Sequence, residues 1–450
     1  MKKIIILGGN PETAILVNTS IKMGIYTIVI DPNPDAPAKK NASETHNIDG
    51  FEVDKIVQLA KDLKVDAVLV GVADILVKPY REICEKLNMH CYATPEAVEA
   101  FCSKDGFKRY CHEYAIQDIP GIYLDKTSSI EKPKNIAYPL MIKPVDNGGG
   151  VGMKICRDDQ DYQESIKTAF KFSKMGVVLV EKYMDCDDMA AYYTFRNGIP
   201  YISAISDRVT TKKQGDASPV CIGAIYPSKH TELFVRDVHP KLCELFKGLK
   251  IKNGVLNIQF FVEDNIVYAY DPGFRLQGEA PHIHLAHING FDHREMLINY
   301  AFTGVLGDDD FAEKNDYMFK GKIACTIWVL LTGGKIDSIQ GLNEIKADES
   351  VIFILERFKI GDVIAPEMLG TEKQVFARIY LVAPSITAVN AKIDKFKNLS
   401  QVSHPVFMGS REATYSMKTK GNPWFYCIFR LPDIKYGTCY KTKILQRFKN

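Results

Sequence analysis

The first 95 residues constrain the fold most, because short runs of Ile, Val and Leu alternate there with stretches of helical periodicity. Ile4 to Leu7, Tyr26 to Ile30 and Asp66 to Val70 are dominated by apolar residues, as strands buried on both faces must be. Between the last two, Ile56, Leu59, Ala60 and Leu63 recur at i, i+3, i+4 and i+7, the apolar stripe of a helix that covers a sheet. Asp31-Pro32-Asn33-Pro34 closes the second strand and Ala93-Thr94-Pro95 opens a further helix. The alternation predicts an α/β unit, a doubly wound parallel sheet.

The run Ile4 to Leu7 follows Met1-Lys2-Lys3 directly; it is too short for the apolar core of a signal peptide and reads as a buried strand. No stretch of about 18 apolar residues occurs, so no membrane span is expected. Eleven scattered cysteines without a C-x-x-C pair point to reduced thiols and a cytoplasmic setting. The net charge of +2 gives no bulk attraction to nucleic acid. Charge is unevenly spread, however, since residues 411–450 carry nine Lys and Arg against Glu412 and Asp433. This basic tail, which includes Trp424, reads as a solvated run or a contact for an anionic surface.

At 450 residues the chain can hold two or three domains. From about 104 to 305 it turns to longer β-rich segments, and strands return at Lys322 to Leu331 and Gln374 to Val382. No repeat or low-complexity stretch interrupts it.

Four features carry chemistry. The first turn, Gly8-Gly9-Asn10-Pro11-Glu12-Thr13, follows a strand, and Asp31 ends the next one, an arrangement that invites a dinucleotide. It lacks G-x-G-x-x-G, and Pro11 removes a backbone donor. A second segment sets Gly148, Gly149, Gly150 and Gly152 between two apolar strands, with Lys143 on the first of them. Bare N–H groups in such a loop can fold over phosphates while the Lys supplies a cation. Third, Val177 to Val180 form a buried strand ending at Glu181-Lys182-Tyr183, with Asp185, Asp187 and Asp188 beyond. Fourth, Asn257 to Val262 and Val267 to Asp271 read as a hairpin turning at Asp264-Asn265, which sets Gln259 beside Asp271 as oxygen donors for a hard cation. Arg275 follows one turn later, and Asp207-Arg208 begins a polar run that reads as a loop over the site. His282, His284 and His287 are crowded, but H-x-H-x-x-H is not a zinc spacing; they read as pocket lining or packing.

In this order the features resemble the ATP-grasp superfamily, and the hairpin resembles that of carbamoyl phosphate synthetase large chains and related carboxylate-amine ligases. The resemblance spans roughly residues 1 to 390. It implies a doubly wound pre-domain (1–103), a small ATP-grasp lobe with the glycine loop (104–190), a large α+β lobe with a C-terminal β-rich part (191–410), and the tail (411–450).

Carried over by position, it implies that Lys104 and Lys143 contact ATP phosphates, that Glu181, Lys182 and Tyr183 meet the adenine edge, and that Asp188 takes the ribose hydroxyls. Gln259 and Asp271 would hold one or two Mg²⁺ ions, Arg275 would steady the transferring phosphoryl group, and Arg208 would clamp a substrate carboxylate. The family ends this stretch in E-x-N-P-R, whereas here Asp271-Pro272-Gly273-Phe274-Arg275 puts Gly273 where an Asn helps hold a second metal. The activity implied is ADP-forming ligation of a small-molecule carboxylate to an amine or similar nucleophile, with a homodimer as the candidate assembly. A nicotinamide-dependent oxidoreductase built on Gly8 to Asp31 and a non-catalytic ATP sensor on the same scaffold are the alternatives; the first leaves Lys143, Asp271 and Arg275 without roles.

Overall fold

Strands β1 (Lys3–Leu7), β2 (Tyr26–Ile30) and β4 (Ala67–Val70) form a parallel sheet in the computed structural model, which describes residues 1–128, 130–145, 152–211, 219–399 and 401–403. Ile4 to Leu7, Ile28 and Val68 to Val70 are fully buried, which requires cover on both faces. A fourth strand that the sequence reading lacks, β3 (Glu44–His46), completes the order β3-β2-β1-β4. Its short polar run hid it; it sits at the sheet edge, half exposed, where no apolar alternation is needed. Helix Pro11–Lys22 is capped by Asn10, whose side chain accepts from Thr13 N at 2.8 Å.

The first turn is filled by the chain itself. A β-carbon on Gly9 would lie 2.4 Å from the Ala36 side chain and 2.8 Å from Asp31, and the Asp31 carboxylate accepts from Asn33 N at 2.8 Å.

A second sheet, order β5-β8-β6-β7, is built from β5 (Gly121–Asp125), β6 (Leu140–Pro144), β7 (Lys154–Cys156) and β8 (Val177–Lys182). Tyr162, Ile166 and Ala169 of helix Asp159–Phe172 bury against Leu140, Ile142, Val178 and Val180. β6 and β7 are the hairpin arms around the glycine-rich segment, paired antiparallel from Leu140↔Cys156 to Ile142↔Lys154.

The third sheet has eight antiparallel strands in the order β13-β12-β9-β10-β11-β14-β19-β17. These are β9 (Asp187–Arg196), β10 (Ile199–Thr210), β11 (Cys221–Tyr226), β12 (Gly254–Glu263), β13 (Ile266–Gly273), β14 (Ile323–Leu330), β17 (Val351–Glu356) and β19 (Val375–Ala383). Two small pairs, β15 (Gly334–Lys335) with β18 (Val363–Ile364) and β16 (Ser338–Gln340) with β20 (Gln401–Ser403), lie outside it. One expectation is corrected here: Asp207 and Arg208 do not open a loop but lie within β10, paired to Ile225 and Ala224 of β11. Both are partnered there: Asp207 accepts from Ser228 Oγ and Lys229 N, and Arg208 donates to Asp188 and Glu279.

Glu12, in the first turn of its helix, accepts from Arg357 and lies 3.1 Å from the Arg378 guanidinium, 366 residues away on β19. Arg378 is 1% exposed and lies 4.2 Å over the Trp328 ring. Burial alone would raise the Glu12 carboxyl, but Arg378 and Arg357 outweigh it and hold it below its ordinary value. A lowered carboxyl stabilises the fold at neutral pH and loses that contribution as pH falls through its folded-state value. Glu12→Gln is therefore expected to cost about 1.5 to 3 kcal/mol at pH 7 and less at acid pH, measured by urea unfolding.

Candidate functional site

Three clusters gather most of the residues singled out by sequence. The first lies on the second sheet. Lys143 of β6 faces across to β8, where its ammonium pairs with Glu181, a carboxylate only 4% exposed. The next residue, Lys182, reaches the other way to Glu263 at the end of β12 and so ties the second sheet to the third. The N–H groups of Lys182 and Tyr183 are donated to the carbonyls of Pro120 (2.9 Å) and Pro139 (3.0 Å). Gly152, at φ +76°, closes the glycine segment: a β-carbon there would lie 2.7 Å from Phe172 and 2.9 Å from Pro144. Gly148, Gly149 and Gly150 lie outside the described residues, as does the tail 411–450. Lys104 opens helix Lys104–Glu113, capped by the Ser103 hydroxyl on Gly106 N; its side chain is likewise outside the description.

The second cluster is the hairpin β12–β13. Gln259 and Asp271 are cross-strand partners, as are Asn257 and Gly273. In an antiparallel pair, residues two apart face the same side, so these four positions form one square. Arg275, just past the hairpin, donates to Asp74 Oδ2 at 2.5 Å and to Gln277 Oε1 at 2.7 Å. Asp74 comes from the loop after β4, so the parallel-sheet unit reaches directly into this cluster. Sequence reasoning missed Asp74, because nothing local marks a carboxylate whose partner is 201 residues away.

The third cluster is buried in the large sheet. Arg208 donates to Asp188 (2.6 Å), Glu279 (2.8 Å) and the Tyr270 hydroxyl (2.8 Å), and Tyr192 donates to Glu279 at 2.6 Å. Burial pushes the Asp188 carboxyl up to about 6 against the pull of Arg208. At Glu279 burial also raises the carboxyl, but Arg208 and the Tyr192 hydroxyl hold it below the ordinary carboxylate value. Arg208 is thus neither an exposed surface Arg nor a free clamp: its guanidinium is already divided between two carboxylates. Asp188 likewise has both oxygens engaged, with Arg208 and Tyr270. Tyr270, Tyr192 and Glu279 were missed because their convergence depends on strand order.

His282, His284 and His287 sit on helix Pro281–Asn289. His284 meets Thr326 Oγ1 at 3.0 Å and burial lowers its pKa to about 3, so it is neutral. Among the described residues no group of three or more His, Cys, Asp or Glu is placed to hold a metal ion. The described cysteines are all free thiols, and no described helix is long and apolar enough to cross a membrane.

Comparison with known proteins agrees with this architecture. Residues 1–101 match the ribonucleotide synthetase preATP-grasp domain, and 104–187 match the ATP binding domain of the carbamoyl-phosphate synthase L chain. The chain is 22% identical over 221 residues to a formate-dependent phosphoribosylglycinamide formyltransferase of Bacillus subtilis, 48% of this chain and 56% of that one. It is 24% identical over 306 residues to the C-terminal section of a carbamoyl phosphate synthase large chain from Methanocaldococcus jannaschii, 63% of this chain and 48% of that one. The chain thus spans about half the length of these curated relatives. Phosphoribosylglycinamide synthetase from Anaerococcus prevotii superposes with a TM-score of 0.70 at 18% identity, covering 90% of this chain and all of that one. An L-amino acid ligase from Bacillus licheniformis gives 0.72 at 15%, covering 90% and 99%. A preATP-grasp unit over residues 1–101 followed by a carbamoyl-phosphate-synthase-type ATP-binding domain over residues 104–187 is thus what the chain's first 187 residues resemble, and its fold is shared with the solved synthetase and ligase.

Proposed function

We propose that this protein is an ADP-forming ligase that activates a small-molecule carboxylate as an acyl phosphate, which an amine or similar nucleophile then attacks. The observation that carries the reading is the Gln259–Asp271 pair, in register on one hairpin, with Arg275 immediately beyond. Oxygen donors of this kind suit Mg²⁺, and the ATP-grasp resemblance implies that they face the nucleotide's phosphates. The names of the similar proteins, a formate-dependent phosphoribosylglycinamide formyltransferase, a phosphoribosylglycinamide synthetase and an L-amino acid ligase, support the reaction class. We also propose the division 1–103, 104–190, 191–410 and 411–450, with the site at the meeting of the first three.

In this reading Lys143 and Lys104 neutralise phosphate oxygens, and Glu181, Lys182 and Tyr183 border the base. Mg²⁺, held by Gln259 and Asp271, would offset charge on the phosphates. Arg275, already oriented by Asp74 and Gln277, stands ready for the phosphoryl group as its charge develops, a task of positioning and field more than of covalent chemistry. The glycine segment 148–152 would exclude water, since a free acyl phosphate hydrolyses unproductively. Arg208 and Asp188 are better assigned to holding Glu279 and Tyr270 in place than to direct contact with a carboxylate or ribose, because each already has buried partners.

The test is interception. With ATP, Mg²⁺ and hydroxylamine, screened against amino acids, sugar acids and bicarbonate, ADP should form together with an acyl hydroxamate for the right acid. AMP and pyrophosphate would replace the acyl phosphate by an adenylate and overturn the proposal. ATP binding without turnover under every condition would favour the sensor, and tight NADH binding without ATP heat the oxidoreductase. Lys143→Ala is expected to weaken ATP binding by about 1.5 to 3 kcal/mol in calorimetry, the range for a charged hydrogen bond.

A further inference from the structure

The basic tail 411–450 has no part in the chemistry above, and the charge that complements it lies on the body of the same chain. The tail carries nine Lys and Arg against two acids, whereas residues 1–410 carry 48 against 53. Asp308-Asp309-Asp310 is the only run of three consecutive acidic residues in the sequence. Asp308 and Asp310 line a cleft of about 480 Å³ bordered by helices His293–Thr303 and Phe311–Lys314, and Glu295 on the first of these helices lines it too.

The cleft suits an occupant that is both cationic and apolar. Phe291, Met296 and Phe311 are buried in its lining, and the two phenylalanine rings meet edge to face with centroids 4.9 Å apart. Glu295, Asp308 and Asp310 are exposed beside this floor. Asp310 pairs with Lys314 at 2.8 Å, but neither Glu295 nor Asp308 makes an ion pair among the described residues. Crowded acids of one sign repel, yet the segment is held: Arg196 of β9 donates to Leu306 O (3.1 Å) and to Asp309 (2.7 Å), and Phe311 N donates to Asp308 O (3.1 Å). A fixed acidic rim over an apolar floor attracts a segment that mixes aromatic and basic side chains. The tail has that composition, with Trp424-Phe425-Tyr426 flanked by Lys418, Lys420 and Arg430.

We infer that residues 411–450 dock in this cleft of their own chain, aromatic residues of the 424–429 stretch against Phe291, Met296 and Phe311, and flanking basic residues beside Glu295, Asp308 and Asp310. Reach allows it. Trp424 is 21 residues past Ser403, the last described residue, and a chain of that length spans up to about 70 Å, against about 55 Å across a compact body of 400 residues. The inference does not depend on the nucleotide reading.

The test uses the full chain. A carbodiimide condenses a carboxyl with a lysine amine, losing water, where the two groups touch. Peptide mass spectrometry should then find Glu295, Asp308 or Asp310 joined to Lys418, Lys420 or Lys435. In a mixture of ¹⁵N-labelled and unlabelled protein, each joined pair should come from one chain. Asp308→Lys/Asp310→Lys should lower coupling at Glu295 about tenfold. The same charge change in Asp54→Lys/Asp62→Lys, at exposed positions of helix Val53–Asp62, should leave it unchanged. Fluorescence gives a second readout, because Trp328 and Trp424 are the only tryptophans. The emission of Trp424, taken as the difference between wild type and Trp424→Phe, should be blue-shifted and shielded from acrylamide, and Asp308→Lys/Asp310→Lys should move it to the red. Tail lysines coupled elsewhere or not at all, with Trp424 freely quenched in wild type, overturn the inference. An equal loss in Asp54→Lys/Asp62→Lys overturns it in favour of bulk charge, and pairs joining labelled to unlabelled chains overturn it in favour of a second copy's tail.

Discussion

Asp271→Asn is expected to lower the rate of ADP formation about a hundredfold or more while weakening nucleotide binding much less. The two side chains have the same shape, so the exchange removes charge and little else. A full negative charge beside a divalent cation shapes the field in which phosphoryl oxygens gain and lose charge, and its loss is felt most where that charge is moving. Gln259→Ala, on the opposite strand of the same register pair, removes a neutral donor and should be milder. The pair of measurements is steady-state ADP release and calorimetric binding, each across a Mg²⁺ series. An Asp271→Asn protein that stays active at low Mg²⁺ would show that the cation is held elsewhere.

Arg208→Met should produce the largest loss of stability, about 3 to 5 kcal/mol, because it strands two buried carboxylates. The cost is that of leaving Asp188 and Glu279 uncompensated, not the net value of the ion pairs. Without the cation both carboxyls must rise in the folded state, and a raised carboxyl contributes stability at acid pH that is lost as pH rises through its folded value. The deficit relative to wild type should therefore shrink between pH 7 and pH 5 in urea unfolding. Adding Asp188→Asn and Glu279→Gln to Arg208→Met should recover part of the loss at pH 7. A deficit that does not change with pH would place the effect in packing alone.

Legibility in the sequence tracked the range of the interactions involved. The hairpin was readable because alternation on both arms and the Asp264-Asn265 turn mark it locally, but the pairing of Gln259 with Asp271 depends on a bulge between Gln259 and Phe260, without which the turn would set Gln259 against Tyr270. The strands Tyr26–Ile30 and Ala67–Val70 were readable because burial on both faces leaves an unbroken apolar run. Arg208 misled for the opposite reason. Its polar neighbourhood Asp207 to Asp216 resembles a loop, and only strand order brings Asp188, Tyr270 and Glu279 around it. Glu12 is the extreme case: a first-turn acid looks like an ordinary helix-dipole partner, and its two arginines are 345 and 366 residues away.

The order of the large sheet has a consequence for biosynthesis. β17 touches the sheet only through β19, yet β17 emerges from the ribosome first and β19 is inserted later, between it and β14. β17 therefore has no strand to pair with until β19 has been made, and Arg378, the second counter-charge for Glu12 beside Arg357, arrives on that same late strand. Until then Glu12 lacks its Arg378 partner and one edge of β14 is unpaired, the kind of surface on which nascent chains associate wrongly. Translation arrested before β19 should thus yield a product that chaperones retain and proteases clear, whatever the state of the nucleotide site encoded upstream.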